Sequence, residues 1–370
     1  MIQYISKALR RTLGLSAALC AGWLLFSNNA EAQVRTERYT VESMPDNSVT
    51  YALPETRLYF VFEIEESESK PGDFALYASR YLGLSDVVMQ ESRSFALGAV
   101  RGGSYGIPSD SLKYTTRFSR RNSATNVTLA SDGRLLGINA PEVLLPEVPV
   151  TKMGKFDSGD GFRALSSLPL EYVQATSAAK KAEIAASEIY RIRESRSAVI
   201  SGESEQPFPD GEAMKVAIGG LDEAEKALTE RFTGVTRSAR HEIVVRGINP
   251  TEGEQVIARF SGHYGLLPAD DLRGEPVYLS VKVTDRAPIL DEREMRKKER
   301  QLSRGVVYTM PVGADVTVTF RNQKVWEGTI PVAQYGYQEA LESALFTDRD
   351  RVTEVLLDAA SGGILKVQTL

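Results

Sequence analysis

The sequence has 370 residues, with 44 basic and 49 acidic side chains for a net charge of −5, and is 42% hydrophobic. A mildly acidic chain with both signs interspersed does not present the field that attracts nucleic acid or anionic lipid, and its apolar content is that of a packed protein. The single cysteine excludes an internal disulfide and any multi-cysteine zinc site.

The first elements set the compartment. Lys7, Arg10 and Arg11 precede an apolar run from Leu13 to Phe26, and the small-x-small triplet Ala30-Glu31-Ala32 follows. This is the layout of a secretory signal, so residues 1–32 are expected to be removed and the mature chain to begin at Gln33. The apolar run, about 14 residues, falls short of the ~20 that a membrane-spanning helix needs. Cys20 follows Leu19 and is itself followed by apolar residues as far as Phe26, which places it in the signal helix and not at a lipid-attachment site. Loss of three basic residues and Glu31 leaves a mature net charge of −7 and no cysteine. The expected location is the periplasm or the outer membrane's periphery, after secretion across the inner membrane and with no transmembrane span remaining.

Beyond the leader the expected fold class is α+β, with two antiparallel β-rich lobes connected by a central α-helical hairpin. Residues 33–139 read as a β-rich domain with one short helix. Leu58 to Glu65 alternates, Asp132-Gly133 has the chemistry of a two-residue hairpin turn, and a helix begins after Pro71-Gly72 with Asp73 as its cap and Phe74, Tyr77, Tyr81 and Leu84 at helical spacing. Residues 140–175 are rich in Pro, Gly and Ser and read as a linker. Residues 176–234 read as the hairpin. Its first helix has Ala182, Ala185, Ile189, Ile192 and Val199 on one face and stops at Gly202; its second runs from Asp210 to Gly234 and buries Met214, Ile218, Leu221, Leu228 and Phe232. Gly219-Gly220 inside the second helix implies close approach of another element. Residues 235–370 read as a second β-rich domain, with turns at Asn322-Gln323 and Ser361-Gly362-Gly363. A solvated charged segment, Asp291 to Arg304, interrupts it.

The residue types that carry chemistry yield no catalytic, cofactor-binding or metal-binding candidate. His241-Glu242 lacks the second histidine of a zinc-protease helix and lies in a strand-like context; His263 stands alone. Ser177-Ala178-Ala179-Lys180 matches the S-x-x-K of penicillin-binding enzymes, but the chain has neither SDN nor KTG, and an Ala-rich helix start accounts for it. Asp157 and Asp160 lack the remaining ligands of a calcium loop.

A set of short motifs stands in order along the chain: YALP at 51–54, PGDFALYASRYLG at 71–83, PDGEAMK at 209–215, RFTG at 231–234 and QYG at 334–336. In this the sequence resembles an uncharacterised family of exported proteins from Bacteroides-type bacteria, known only as a domain of unknown function, number 4831. The resemblance implies export and an envelope location and supplies no catalytic residue or cofactor. It also directs attention to Asp110-Ser111-Leu112, where Ser111 fits the O-glycosylation acceptor pattern of that bacterial group. The expected role is a non-enzymatic binding or structural component whose partner is another envelope protein or a glycan. The alternative is a hydrolase acting on cell-wall or glycan substrates through paired carboxylates.

Overall fold

The computed structural model describes residues 34–40, 48–118, 126–140, 143, 145, 147–156, 168–203, 211–285, 287–288, 290–346 and 352–369. The leader with Ala30, Ala32 and Gln33 lies outside the described residues, as do Asp157, Asp160 and Asp210.

Thirteen strands among the described residues form three antiparallel sheets. The first has the order β1 (Val34–Arg38), β3 (Ser92–Phe118), β2 (Ser48–Lys70), β6 (Val235–Ile248). The second runs β11 (Gln323–Glu342), β10 (Gly305–Phe320), β9 (Glu275–Val283), β7 (Gly253–Ser261), β8 (Gly265–Leu267). The third is β13 (Ile364–Thr369), β12 (Thr353–Leu357), β5 (Leu135–Ile138), β4 (Val127–Leu129). Period-2 alternation sends Leu58, Phe60, Phe62 and Ile64 of β2 to one face, where they pack on Val277, Leu279 and Val281 of β9 and on Val316 and Val318 of β10. A second core collects Tyr51, Leu53, Leu135, Ile138, Val307, Val355 and Leu357 beneath the third sheet.

The sheets do not follow the expected division into a 33–139 lobe and a 235–370 lobe. β6 pairs with β2 along almost its whole length, and β12 pairs with β5, so two of the three sheets draw strands from both sides of the helices. Alternation shows that a strand has a buried face but not which strand satisfies each of its edges, and β2, at 23 residues, has two long edges to satisfy.

The helices are α1 (Ala78–Leu82), α2 (Leu170–Gln174), α3 (Ala178–Ser201), α4 (Gly211–Thr233) and α5 (Glu292–Leu302). A single 3-10 turn, Ala75–Tyr77, leads into α1, and Asp73 is not its cap: Phe74 holds the cap position with no side-chain bond, while Asp73 pairs with Arg231. α2 falls inside the stretch expected to be linker. Ser177 Oγ accepts from the Lys180 amide at 3.2 Å and so caps α3, which ends at Gly202 in the left-handed conformation. This accounts for the S-x-x-K pattern. α3 and α4 run antiparallel, with Arg193 on Glu225 and Arg196 on Asp222 at 2.6 and 2.7 Å. Ala182, Ala185 and Ile189 face Leu228, Phe232, Phe74 and Ala78 in a third core; Met214, Ile218 and Leu221 are only half-buried. α5 is exposed except for half-buried Lys298 and Leu302, and begins with a reciprocal Asp291–Glu294 capping box. Among the described residues no helix is long and apolar enough to cross a membrane, which says nothing of strands.

Two turns differ in detail from expectation. The β4–β5 connection is a three-residue loop, Ser131-Asp132-Gly133, closed by Gly133 N–H to Ala130 O at 2.9 Å, with Gly133 left-handed at the bulge position. The β10–β11 turn is made by Arg321 and Asn322, both at positive φ, one residue earlier than the sequence pattern indicates.

Gly219 and Gly220 are exposed, and a β-carbon on either would meet nothing within 4 Å. The expected close approach is therefore not the reason for this pair. With only the helical penalty of glycine in play, Gly219→Ala and Gly220→Ala are each expected to stabilise the protein by about 1 kcal/mol. Urea denaturation of each variant measures this; a lower midpoint in either would mean the glycines serve a contact that the helix surface does not display.

Candidate functional site

Polar residues at core-facing positions mark where the sheets are tied together, and one such place holds a histidine. The core row of β2 continues Phe60, Phe62, Ile64 to Glu66, and that of β6 reads Ala239, His241, Ile243, Val245. Glu66 and His241 are both buried and meet at 2.8 Å between Oε2 and Nε2. Arg93 of β3 donates to the other carboxylate oxygen. On its far side, His241 Nδ1 accepts the backbone N–H of Gly154 at 3.0 Å. A nitrogen that accepts a backbone N–H carries no proton, so the ring is the Nε2–H tautomer and donates to Glu66.

Gly154 belongs to residues 151–154, a strap laid along the free edge of β6. Lys152 and Glu242 exchange both backbone hydrogen bonds at 2.8 Å, and the Val244 amide donates to Thr151 Oγ1 at 3.1 Å. Gly154 must be glycine because a β-carbon would be driven into the Arg240 carbonyl. With one ring nitrogen on Glu66 and the other on Gly154, His241 holds this strap and has no free lone pair with which to take a substrate proton.

Burial alone would raise the Glu66 carboxyl, but hydrogen bonds from Arg93 and His241 outweigh it and hold the group below its ordinary value. A depressed folded pKa contributes stability that is complete above the unfolded value, about 4.3, and is lost as pH falls through the folded one. Glu66→Gln is therefore expected to be less stable than wild type by about 1 to 2 kcal/mol at neutral pH. The gap should close in acid below the ordinary glutamate range. Denaturation midpoints of both proteins over that pH range test this; a gap that does not narrow would mean the charge on Glu66 is not what the variant removes.

Four of the five motifs supply residues to two other junctions. Tyr51 of YALP uses its phenol to serve both backbone groups of Val307, donating to the carbonyl at 3.0 Å and accepting from the amide at 2.9 Å. Opposite Pro311, which offers no ladder amide, β11 inserts four residues, Ala333 to Gly336, against one. That bulge carries QYG. The Gln334 amide accepts from the Thr56 N–H at 3.0 Å and donates to the Thr56 carbonyl at 2.8 Å, while Thr56 Oγ1 donates to Ala360 O and accepts from the Ala333 amide, both at 3.0 Å. Thr56 thus joins β2, β11 and the turn before β13. The second junction sets PGDF against RFTG: the Phe74 amide donates to Arg231 O at 2.8 Å, and Gly72 lies against the same carbonyl with no room for a side chain.

Residues 47–365 match a family model described as Domain of unknown function (DUF4831). The chain belongs to this family. No curated protein and no solved structure matches the chain. The DUF4831 match runs from the start of β2 into β13, so it takes in β2 to β12 of the three sheets along with both motif junctions.

Within this DUF4831 chain, Ser111 does not sit in an ordinary loop. β2 passes from Ala52 to Pro54 while β3 passes from Lys113 to Pro108, so Ser109 to Leu112 bulge out opposite Leu53. Ser109 Oγ donates to Glu55 at 2.9 Å and anchors the bulge, leaving Asp110 and Ser111 exposed. His263 is exposed on the β7–β8 turn, away from any acidic partner in hydrogen-bond contact. Three carboxylates line the open depression between α3 and α4: Asp222 and Glu225, both paired with arginines, and Glu230. In the sequence His241 was legible only as a histidine in a strand-like context. Its partner Glu66 was legible as an acid at the end of an apolar alternating row; the strap was not, because its bonds are made by backbone.

Proposed function

We propose that this DUF4831 member is an exported envelope protein, resident in the periplasm or at the outer membrane, that works as a binding or structural component and uses no cofactor. Its partner on this reading is another envelope protein or a glycan. The leader pattern at residues 1–32 supports export, and the use of the family motifs in joining sheets supports a structural role for them.

The observation that carries the binding reading is β13. Among the described residues it pairs on one edge only, and Leu365 and Val367 are 62% and 47% exposed. Val367 stands opposite Val355, which is fully buried, so the apolar face of the third sheet continues past its core into the open. Exposed edges of this kind accept added strands or flat apolar surfaces. A photo-crosslinking residue at position 365 should form a reproducible adduct with an envelope component, lost in Val367→Glu. Adducts formed only with the chain itself would overturn the reading.

Ser111 on its exposed bulge is the place we propose for O-glycosylation. Intact-mass measurement of protein extracted from envelopes is expected to show a chain beginning at Gln33 with a glycan increment absent from Ser111→Ala. Retention of residues 1–32 would remove the export reading, and an unmodified mass would remove the glycan.

A further inference from the structure

The strap closes on β6 only while one particular nitrogen carries no proton. His241 is 3% exposed, its Nδ1 takes the Gly154 N–H at 3.0 Å, and its Nε2 faces Glu66 at 2.8 Å. The charged groups around the ring are Glu66 from β2, Arg93 from β3 bonded to that carboxylate, and Glu68 beside Arg93. From the strap comes Lys152, which points to Glu242 on the other face of β6 at 3.5 Å. A proton added to Nδ1 would set two donors, N–H against N–H, at hydrogen-bond distance in a dry site. The Glu66 carboxylate, in contrast, would welcome the imidazolium. The ring can accept its second proton only by giving up Gly154.

We infer that His241 is a proton-operated latch on residues 151–154, and that acidification releases this strap from the edge of β6. The balance is one proton taken from solvent onto Nδ1 and one hydrogen bond, Gly154 N–H to Nδ1, broken. Nε2–H stays on Glu66 throughout. Release frees the backbone groups of Glu242 and the amide of Val244, which the strap otherwise occupies, and turns this part of β6 into an open strand edge. Because only the open form takes up the proton, the opening constant rises with acidity by up to about tenfold per pH unit. This device stands apart from β13 and does not depend on the binding reading.

Native-state hydrogen exchange on the mature chain, from about pH 7.5 to about pH 5, tests it. After correction for intrinsic rates, the amides of Lys152, Gly154 and Glu242 should lose protection as pH falls, while amides in the β2–β3 ladder keep theirs. Unchanged protection of the strap amides would overturn the latch. His241→Asn offers an amide oxygen to Gly154 and cannot titrate, so its strap protection should be flat with pH; a wild-type pH response in that variant would also overturn it. If the variant fails to fold, imidazole nitrogen shifts of the wild type decide. Nδ1 should gain its proton in step with the loss of strap protection, and a protonated Nδ1 under a protected strap would refute the mechanism.

Discussion

Replacing Gly336 with alanine is expected to destabilise the protein by about 3 kcal/mol or more, the range of severe overpacking. A β-carbon at this position would fall on the carbonyl of Met310 and close to Pro311 Cα, all of it backbone of the neighbouring strand. Nor can the bulge move away. Gln334 is tied to Thr56, and the Tyr335 hydroxyl donates to Pro250 O and accepts from the Glu252 amide, both at 2.7 Å. Chemical denaturation followed by tryptophan fluorescence reads the loss, since Trp326 lies against Phe60 in the main core. A midpoint equal to that of wild type would mean that β10 and β11 are not in contact at this bulge.

Tyr51→Phe should cost about 2 to 4 kcal/mol although it removes a single oxygen. The ring is buried and phenylalanine fills the same space, so packing is preserved and what disappears is the two bonds to Val307 and a longer one from Thr116 Oγ1 at 3.5 Å. Val307 is fully buried on a side where no strand pairs with it, leaving an amide and a carbonyl with neither partner nor water. The same burial raises the phenol well above its ordinary value of 10.0. A raised folded pKa gives stability that is complete below the unfolded value and is lost as pH rises through it toward the folded one. In strong alkali the wild type should therefore lose its advantage and converge on Tyr51→Phe. Midpoints measured from neutral to alkaline pH show whether it does; parallel curves would mean the hydroxyl is not buried.

Local pattern revealed much of this fold. The alternation of Leu58 to Ile64 gave a strand with one apolar face, the Ala-rich repeat from Ala182 to Ile192 gave a helix ending at Gly202, and the mixed charges after Asp291 gave a solvated segment, which the structure forms as a helix. Those signals depend on neighbours in sequence, and the structure carries them. Partner choice depends on edges, and β6 beside β2 or β12 beside β5 left no trace in either strand's own residues. The motif junctions were visible as motifs but not as junctions. Gln334 and Tyr51 act by mimicking a strand partner, and any polar side chain of the right reach could do so. The Glu66–His241 pair stood between these cases, since two polar residues in core-facing rows demand a partner without naming it.

The interleaving of the third sheet has a consequence for how the molecule comes into being. Asn139 donates to the carbonyl of Thr353, 214 residues further along, beside the ladder that pairs β5 with β12. Closing so long a loop is entropically costly, and no local contact repays that cost beforehand. The early strands must therefore wait, their apolar faces incompletely covered, until the far end of the polypeptide has arrived. On the export reading proposed above, a chain threaded end-first across a membrane would stay unlocked for its passage and complete this sheet only on the far side.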